Sequence, residues 1–273
     1  MIMTSRWNRT AIVLWASVAL AGGAIWAAAE PDFSADVQLR AMSDELARAK
    51  TLHLNNLDKP YFISFSSDDT DVFTVNASLG GLLSSSRRRL REPHITVRVG
   101  DSKLDNTGSI YSQYNPNAGS LPVDDNYAAF RNVFWLATDR FYKRATEDIT
   151  RKRSVLREVS DPDTTADFSA APPVHLLTPL TKLKIDETHW TKLVRQLSAR
   201  LQNYPDIYAS HVNLRAIDST FRLVNTEGTV LRTPEQFSDL QIRTATLLPD
   251  GTTIWNHTFL CGTHPSDLPP ETQ

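Results

Sequence analysis

Cysteine is almost missing. Cys261 is the single one in 273 residues, which rules out an internal disulfide framework and any multi-thiol metal site within the chain. A surplus of one charge is missing too: 29 Lys and Arg stand against 31 Asp and Glu, a formal net charge of −2, and nothing in that balance suggests a nucleic-acid partner. No G-x-S-x-G is present to place a serine nucleophile on a strand-to-helix elbow, and no Walker-type glycine loop to cradle phosphate. The histidines stand singly, at positions 53, 94, 175, 189, 211, 257 and 264. What is present is ordinary globular material. The chain is 41% apolar, and one of this length buries roughly 70% of its unfolded surface without a staple.

One long apolar run occurs, at the start. Arg6 and Arg9 precede Ala11 to Trp26, and Ala27-Ala28-Ala29 leads into Glu30-Pro31, the pattern of an export signal over residues 1–29. Removing 29 of 273 residues leaves 244 and takes away two arginines, for a charge near −4. The alternative is an uncleaved anchor, because the 19 residues from Ala11 to Ala29 come close to the about 20 that span a bilayer, although Gly22-Gly23 weakens the span. The expected location is the periplasm or the exterior, or the inner membrane if the anchor is kept.

After the signal, Ser34 is placed to cap a helix with Leu39, Met42, Leu46 and Ala49 on one face. Tyr61 to Phe65 and Val72 to Val75 read as strands, with a turn expected at Asp68-Asp69. Ile95, Val97 and Val99 alternate with polar residues as a half-buried strand does. Gly100 to Pro122 is a long polar loop. From a cap at Asp124 or Asp125, the residues Tyr127, Phe130, Phe134, Ala137, Phe141, Ala145 and Ile149 form one helical stripe, closed by Arg151-Lys152-Arg153. Ser160 to Pro173 reads as a connection. Another helix starts at Asp186, carries Trp190, Leu193, Val194, Leu197 and Leu201, and stops before Pro205. Strands return with Val212, Leu214 and Ala216, then Phe221 to Val224, and Pro249-Asp250-Gly251 turns the chain between Thr244-Leu248 and Thr253-Leu260. Elements come in blocks, so the expected class is α+β: a mainly antiparallel sheet with helices on one face, over residues 30–264, followed by a frayed tail at 265–273.

Several stretches carry a resemblance. Leu57-Asp-Lys-Pro-Tyr-Phe-Ile63, Leu79-Gly-Gly-Leu-Leu-Ser-Ser-Ser-Arg87, Val97-Arg-Val-Gly-Asp-Ser-Lys-Leu-Asp-Asn-Thr107, Trp135-Leu-Ala-Thr-Asp-Arg-Phe-Tyr-Lys-Arg-Ala145 and Leu223-Val-Asn-Thr-Glu-Gly-Thr-Val230 resemble, in order, the N-terminal domain of the TldD/PmbA family. That resemblance implies a two-domain metallopeptidase system acting on unfolded peptides. In it the N-terminal domain shapes the cavity, and the C-terminal domain carries zinc on a His-Glu-x-x-x-His helix with a later cysteine. No His-Glu dipeptide occurs in this sequence, so no catalytic or metal residue is assigned and no cofactor is expected in this chain. Zinc is expected in a zinc-bearing TldD-like partner chain or a further domain. The expected partners are that chain, or self-association, and unfolded peptides; the membrane is met only through the signal. Two turns are candidates for the cavity wall by analogy: Gly100 with Asp105 and Asn106, and Asn225 with Glu227 and Gly228. For the second turn the plain reading is a tight turn in which Gly228 supplies a positive φ.

The remaining candidates have plainer readings. Asp186-Glu-Thr-His189, with His175 or His211 as possible additions, reads as a helix cap and a surface histidine, since Glu187 and His189 diverge on a helix. His257, Cys261 and His264 offer three possible ligands, against a buried Cys261 acting as a small hydrophobe. Ser84 to Ser86 reads as a polar turn. Arg87 to Arg91 reads as a solvated strand end or loop. The alternative function is a stand-alone, non-enzymatic peptide-binding domain working in the periplasm, or the remnant of a truncated gene.

Overall fold

The computed structural model describes residues 35–54, 57–108, 118–159 and 165–268. The export or anchor segment lies outside them, as do residues 109–117 of the polar loop. No helix among the described residues is long and apolar enough to cross a membrane.

The expected class holds: the described residues form one six-stranded sheet and three α-helices. The strands are β1 (Pro60–Ser78), β2 (Gly81–Val99), β3 (His175–Leu177), β4 (Ile207–Asn225), β5 (Val230–Leu247) and β6 (Thr253–Gly262); the helices are α1 (Val37–Ala49), α2 (Tyr127–Leu156) and α3 (Glu187–Arg200). The order β2-β1-β4-β5 is antiparallel throughout. The outer edge of β5 is shared. Short β3 runs parallel to Val230–Arg232, and β6 runs antiparallel to Ser238–Leu247.

Four of these strands run 18 or 19 residues, longer than the sequence reading allowed. Asp68-Asp69 is not a turn: β1 passes straight through it, because Arg89 and Arg91 of β2 supply the partners that let Asp69 stay in an extended chain. Nor do Ser84 to Ser86 turn. They lie inside β2, where Asn76 donates to Ser84 Oγ at 2.8 Å. The hairpin reverses instead at Leu79-Gly80, with φ of 44° and 80°, between the paired Ser78 and Gly81. Two positive φ values suit a two-residue hairpin loop, but leucine is a poor choice for one. Bonds from outside hold it. Leu79 N–H donates to Ser210 Oγ at 3.0 Å, Gly80 N–H to Ser198 Oγ at 2.9 Å, and Gln202 Nε2 to Leu79 O at 2.7 Å.

The helix caps also shift. Asp36 caps α1, its carboxylate accepting from Leu39 N–H, and Ser34 is outside the described residues. Asn126, not Asp124 or Asp125, caps α2, which continues past the basic run to Leu156. Asp186 caps α3 as expected.

All three helices sit on the odd-numbered face of β1. Ile63 and Phe65 meet α1 and α2 in a first core with Ile95, Val97, Val224, Leu39, Met42, Phe130, Phe134 and Tyr142. Phe73, Val75 and Ala77 meet α3 in a second core with Leu214, Ala216, Leu240, Trp190, Leu193 and Val194. Each large side chain fully buried this way contributes about 1.5–3 kcal/mol. Leu268 reaches the second core behind a single 3-10 turn at Pro265–Asp267, so the first residues of the expected frayed tail are packed.

Candidate functional site: an open edge and a charged cleft

The two turns proposed from the sequence lie at the same end of the sheet, on either side of β1, since β2 ends at Val99 and β4 at Asn225. In the first, Gly100 has φ +98°, and a Cβ there would stand 2.4 Å from Leu104 O, so only glycine fits. Asp105 is fully buried and accepts from Tyr61 Oη and Arg98 Nη1, both at 2.7 Å. Asn106 fastens the turn to β2, accepting from Val99 N–H at 2.9 Å. Burial alone would raise the Asp105 carboxyl; donors from Thr107, Tyr61 and Arg98 outweigh it and hold it below the usual carboxylate range. Tyr61 moves upward, through burial and then its bond to Asp105. In the second turn Asn225 Oδ1 accepts from Thr229 N–H at 2.9 Å, Gly228 takes φ +97°, and Glu227 is half-buried. Both turns are also tied to their surroundings, Thr226 N–H donating to Ile63 O at 2.9 Å and Asp105 N–H to Asp167 Oδ2 at 2.8 Å.

Several histidine and cysteine readings are settled by placement. His189 is exposed beside Trp190, as the cap reading had it. Cys261 is exposed rather than buried, because β6 is an edge strand and Leu260, its neighbour on the opposite face, is the one that packs against the second core. His257 and Cys261 share a face of β6 but stand four residues apart, roughly 13 Å at about 3.3 Å per residue. Zinc ligands bind at about 2.0–2.3 Å, so these two do not fit one ion. Among the described residues no group of three or more His, Cys, Asp or Glu is placed to hold a metal.

Two features were not read from the sequence. The first is the edge at β6, which contains no Asp, Glu, Lys, Arg or Pro. Trp255 is 65% exposed, and Ile254 and Phe259 about half. Edge strands commonly carry charge or proline that blocks further pairing. The opposite edge does: β2 bears Arg87, Arg88, Arg89 and Pro93. Among the described residues no helix packs on the even-numbered face of β1.

The second feature lies between the two cores, where the helix-bearing face of the sheet turns from apolar to charged. The arginine run read as solvated is part of it. Asp69 takes both Nε and Nη2 of Arg89, at 2.9 and 2.7 Å, and Nε of Arg91 at 2.9 Å. Arg91, 3% exposed, also reaches Asp125 at 2.6 Å and stacks over Phe130. Arg222 of β4 grips Asp36 through Nε, at 3.2 and 2.9 Å, and Arg232 adds a bond at 3.3 Å. Arg87 is bidentate to Asp71 and extends to Glu187. For both Asp36 and Asp69, burial alone would raise the carboxyl, but the surrounding guanidiniums win and the pKa falls below the ordinary value. The band lines a cleft of about 450 Å³, covered on one side by the start of α1 and on another by Leu180 to Leu183. The turn candidates Gly100, Asp105, Asn106, Asn225, Glu227 and Gly228 are not among its lining residues.

This architecture is found in solved proteins. The chain matches a proposed modulator of a DNA gyrase from Thermotoga maritima over 85% of its own length and 45% of that protein's, with TM-score 0.51 and 12% identity. TldE from Thermococcus kodakarensis covers 82% of the chain with 43% of itself, at TM-score 0.46 and 8% identity. A proposed DNA gyrase modulator from Bacteroides thetaiotaomicron covers 87% with 47%, at 0.47 and 10%. No protein-family profile matches the chain, and no curated protein does. The resemblance to the TldD/PmbA N-terminal domain therefore holds as a likeness of fold, and the chain spans less than half the length of these solved structures.

Proposed function

We propose that this chain is the scaffold and cavity wall of a peptidase system for unfolded peptides, exported to the periplasm or beyond, with zinc chemistry carried by a TldD-like partner chain or a further domain. The observation that supports it best is the ten-residue uncharged edge of β6, adjoining a sheet face that carries none of the described helices. An extended peptide needs only such an edge to add as a strand, its main chain bonding to free backbone groups and its alternate side chains lying against Trp255 and Phe259 on one face. The Gly100 and Asn225 turns then form the wall at one end of the sheet. The same edge supports a second reading, in which the domain holds peptides on its own, without an enzymatic partner.

One experiment separates them. The purified mature chain is titrated with labelled unfolded peptides, then assayed for cleavage with and without a zinc-bearing TldD-like protein. Saturable binding by the chain alone, weakened by Phe259→Lys, with cleavage in the partner's presence only, is expected from the scaffold reading. Binding that never leads to cleavage leaves the stand-alone reading, and no saturable binding removes both. Export is tested by the N-terminus of the exported product, which is expected at Glu30.

A further inference from the structure

The charged cleft is polarised along the strands. At the end next to α1 and α2 the lining sets Arg89, Arg91 and Arg222 against Asp36, Asp69 and Asp125, and Arg232 reaches Asp36 from outside the lining. One of these cations is under-used. Arg222 is 5% exposed, yet its Nη1 has no hydrogen-bond acceptor; Asp69 Oδ2 is 3.8 Å away, beyond hydrogen-bond reach. Gln38, 2% exposed and lining the same cleft, leaves its Oε1 without a donor. A buried polar atom without a partner costs about 1–3 kcal/mol, so a ligand that offers an acceptor to Arg222 Nη1 gains what that atom lacks within the protein.

The end next to α3 is short of cations. Asp71 and Asp218 stand directly opposite each other on β1 and β4, on the same face, an arrangement that repels. Arg87 is committed to Asp71 and Glu187. Asp218 is 6% exposed and has only neutral donors, Thr181 Oγ1 at 3.3 Å and Gln236 Nε2 at 2.5 Å. Lys182, exposed at the rim, forms no ion pair with it.

Arg222 leans toward Asp69, whose row of the sheet is two residues from the Asp71–Asp218 row, roughly 7 Å. We propose that this cleft binds a small zwitterion of the amino-acid or dipeptide class, its carboxylate received by Arg222 and its ammonium by Asp218. The carboxylate then gives Arg222 Nη1 an acceptor, and the ammonium gives Asp218 a cation in place of neutral donors alone. The lining fits no purely anionic or cationic ligand as well, since the first would leave Asp218 without a cation and the second would leave Arg222 Nη1 without an acceptor. This site is independent of the β6 edge and of the peptidase reading.

The test is calorimetric titration of the full mature chain with free α-amino acids and with glycylglycine, its N-acetyl derivative and its C-terminal amide. We expect saturable binding of a zwitterion and at least about tenfold weaker binding when either terminus is blocked, the usual scale for losing a charge-assisted hydrogen bond. Asp218→Asn keeps the shape and its Thr181 contact, and should weaken binding by at least about tenfold while the fold, checked by circular dichroism, is unchanged. Asp139→Asn, on an exposed face of α2 away from the cleft, should leave it unaltered. Absence of any binding tighter than about 1 mM, equal binding of blocked and unblocked ligands, or full affinity in Asp218→Asn would each overturn the proposal.

Discussion

Replacing Asp36 by Asn tests whether the charged band is bound together as the geometry has it. The Asp36 carboxylate does three things: it caps α1 through Leu39 N–H at 3.0 Å, it receives Arg222 at 2.9 Å, and it receives Arg232 at 3.3 Å. An asparagine keeps the cap, because its side-chain oxygen still accepts. It removes the charge, and Arg222, 5% exposed, is left with Asp69 alone at 3.8 Å. Breaking a buried pair in this way costs about 3–5 kcal/mol, since the surviving ion stays desolvated. Asp36→Ala should cost about 1 kcal/mol more, for the cap. The control is Asp139→Asn, whose partner Lys143 is exposed, where the change should stay within about 0.5 kcal/mol. Urea denaturation at pH 7 measures all three. The pH dependence has a definite sign. Because the folded pKa of Asp36 lies below the ordinary carboxylate value of about 3.9, its contribution is present above that value and disappears as the pH falls through the depressed one. The acid limb of stability should therefore be shallower in Asp36→Asn. A loss under about 1 kcal/mol at pH 7, or an unchanged acid limb, would refute the reasoning.

Two further outcomes follow from local geometry. Gly100→Ala should destabilise by about 1–3 kcal/mol, because the positive φ is strained for alanine and the new Cβ meets Leu104 O, whereas Gly251→Ala, with the same strain and open space around it, should cost less; paired thermal melts decide it. Cys261 is exposed, so it should react with a maleimide in the folded chain at a rate close to that of the denatured chain, and strong protection would contradict its place on the open strand.

How much of this was legible in the sequence depends on the range of the signal. Leu39, Met42, Leu46 and Ala49 are buried as their spacing predicts, and so are Phe130, Phe134, Ala137, Ala145 and Ile149, because helical periodicity is a local pattern. The strand alternation at Ile95, Val97 and Val99 holds for the same reason. Asp68-Asp69 and Ser84 to Ser86 failed because polar residues inside a strand look like turns until their partners are known. Asp69's partners lie 20, 22 and 153 residues away, at Arg89, Arg91 and Arg222. The cleft was invisible for that reason: no single segment contains it. A hint was present, since Asp69 and Asp71 repeat at strand spacing, as do Arg87, Arg89 and Arg91. The β6 edge was hidden differently. Its lack of charge resembles a buried strand, and only the sheet order puts it outside.

The charged band also answers a question that the apolar pattern leaves open. Alternation with a period of two forbids a slip of one residue between β1 and β2, since it would turn the core face outward. A slip of two residues keeps every side chain on its face. In the observed register Asp69 lies opposite Arg91 and Asp71 opposite Arg89; moved by two, Asp69 would lie opposite Pro93 or Arg89, and Phe73 would lose its present place against Arg87. The slip that sets Asp69 against Pro93 separates it from arginine; the slip the other way keeps Asp69 and Asp71 opposite arginines but takes buried Arg91 from Asp69 and leaves it opposite Ser67. This predicts a separation of stability from uniqueness. Replacing Asp69 and Arg91 by Leu and Arg89 by Thr removes a buried ion network, which is commonly neutral or stabilising by about 1–4 kcal/mol when apolar groups fill the space. The same triple variant should lose its single register and give multiple or broadened amide resonances along β1 and β2. One sharp set of resonances at wild-type register would refute the role of the charges in setting it, and leave ligand recognition as the reason for burying them.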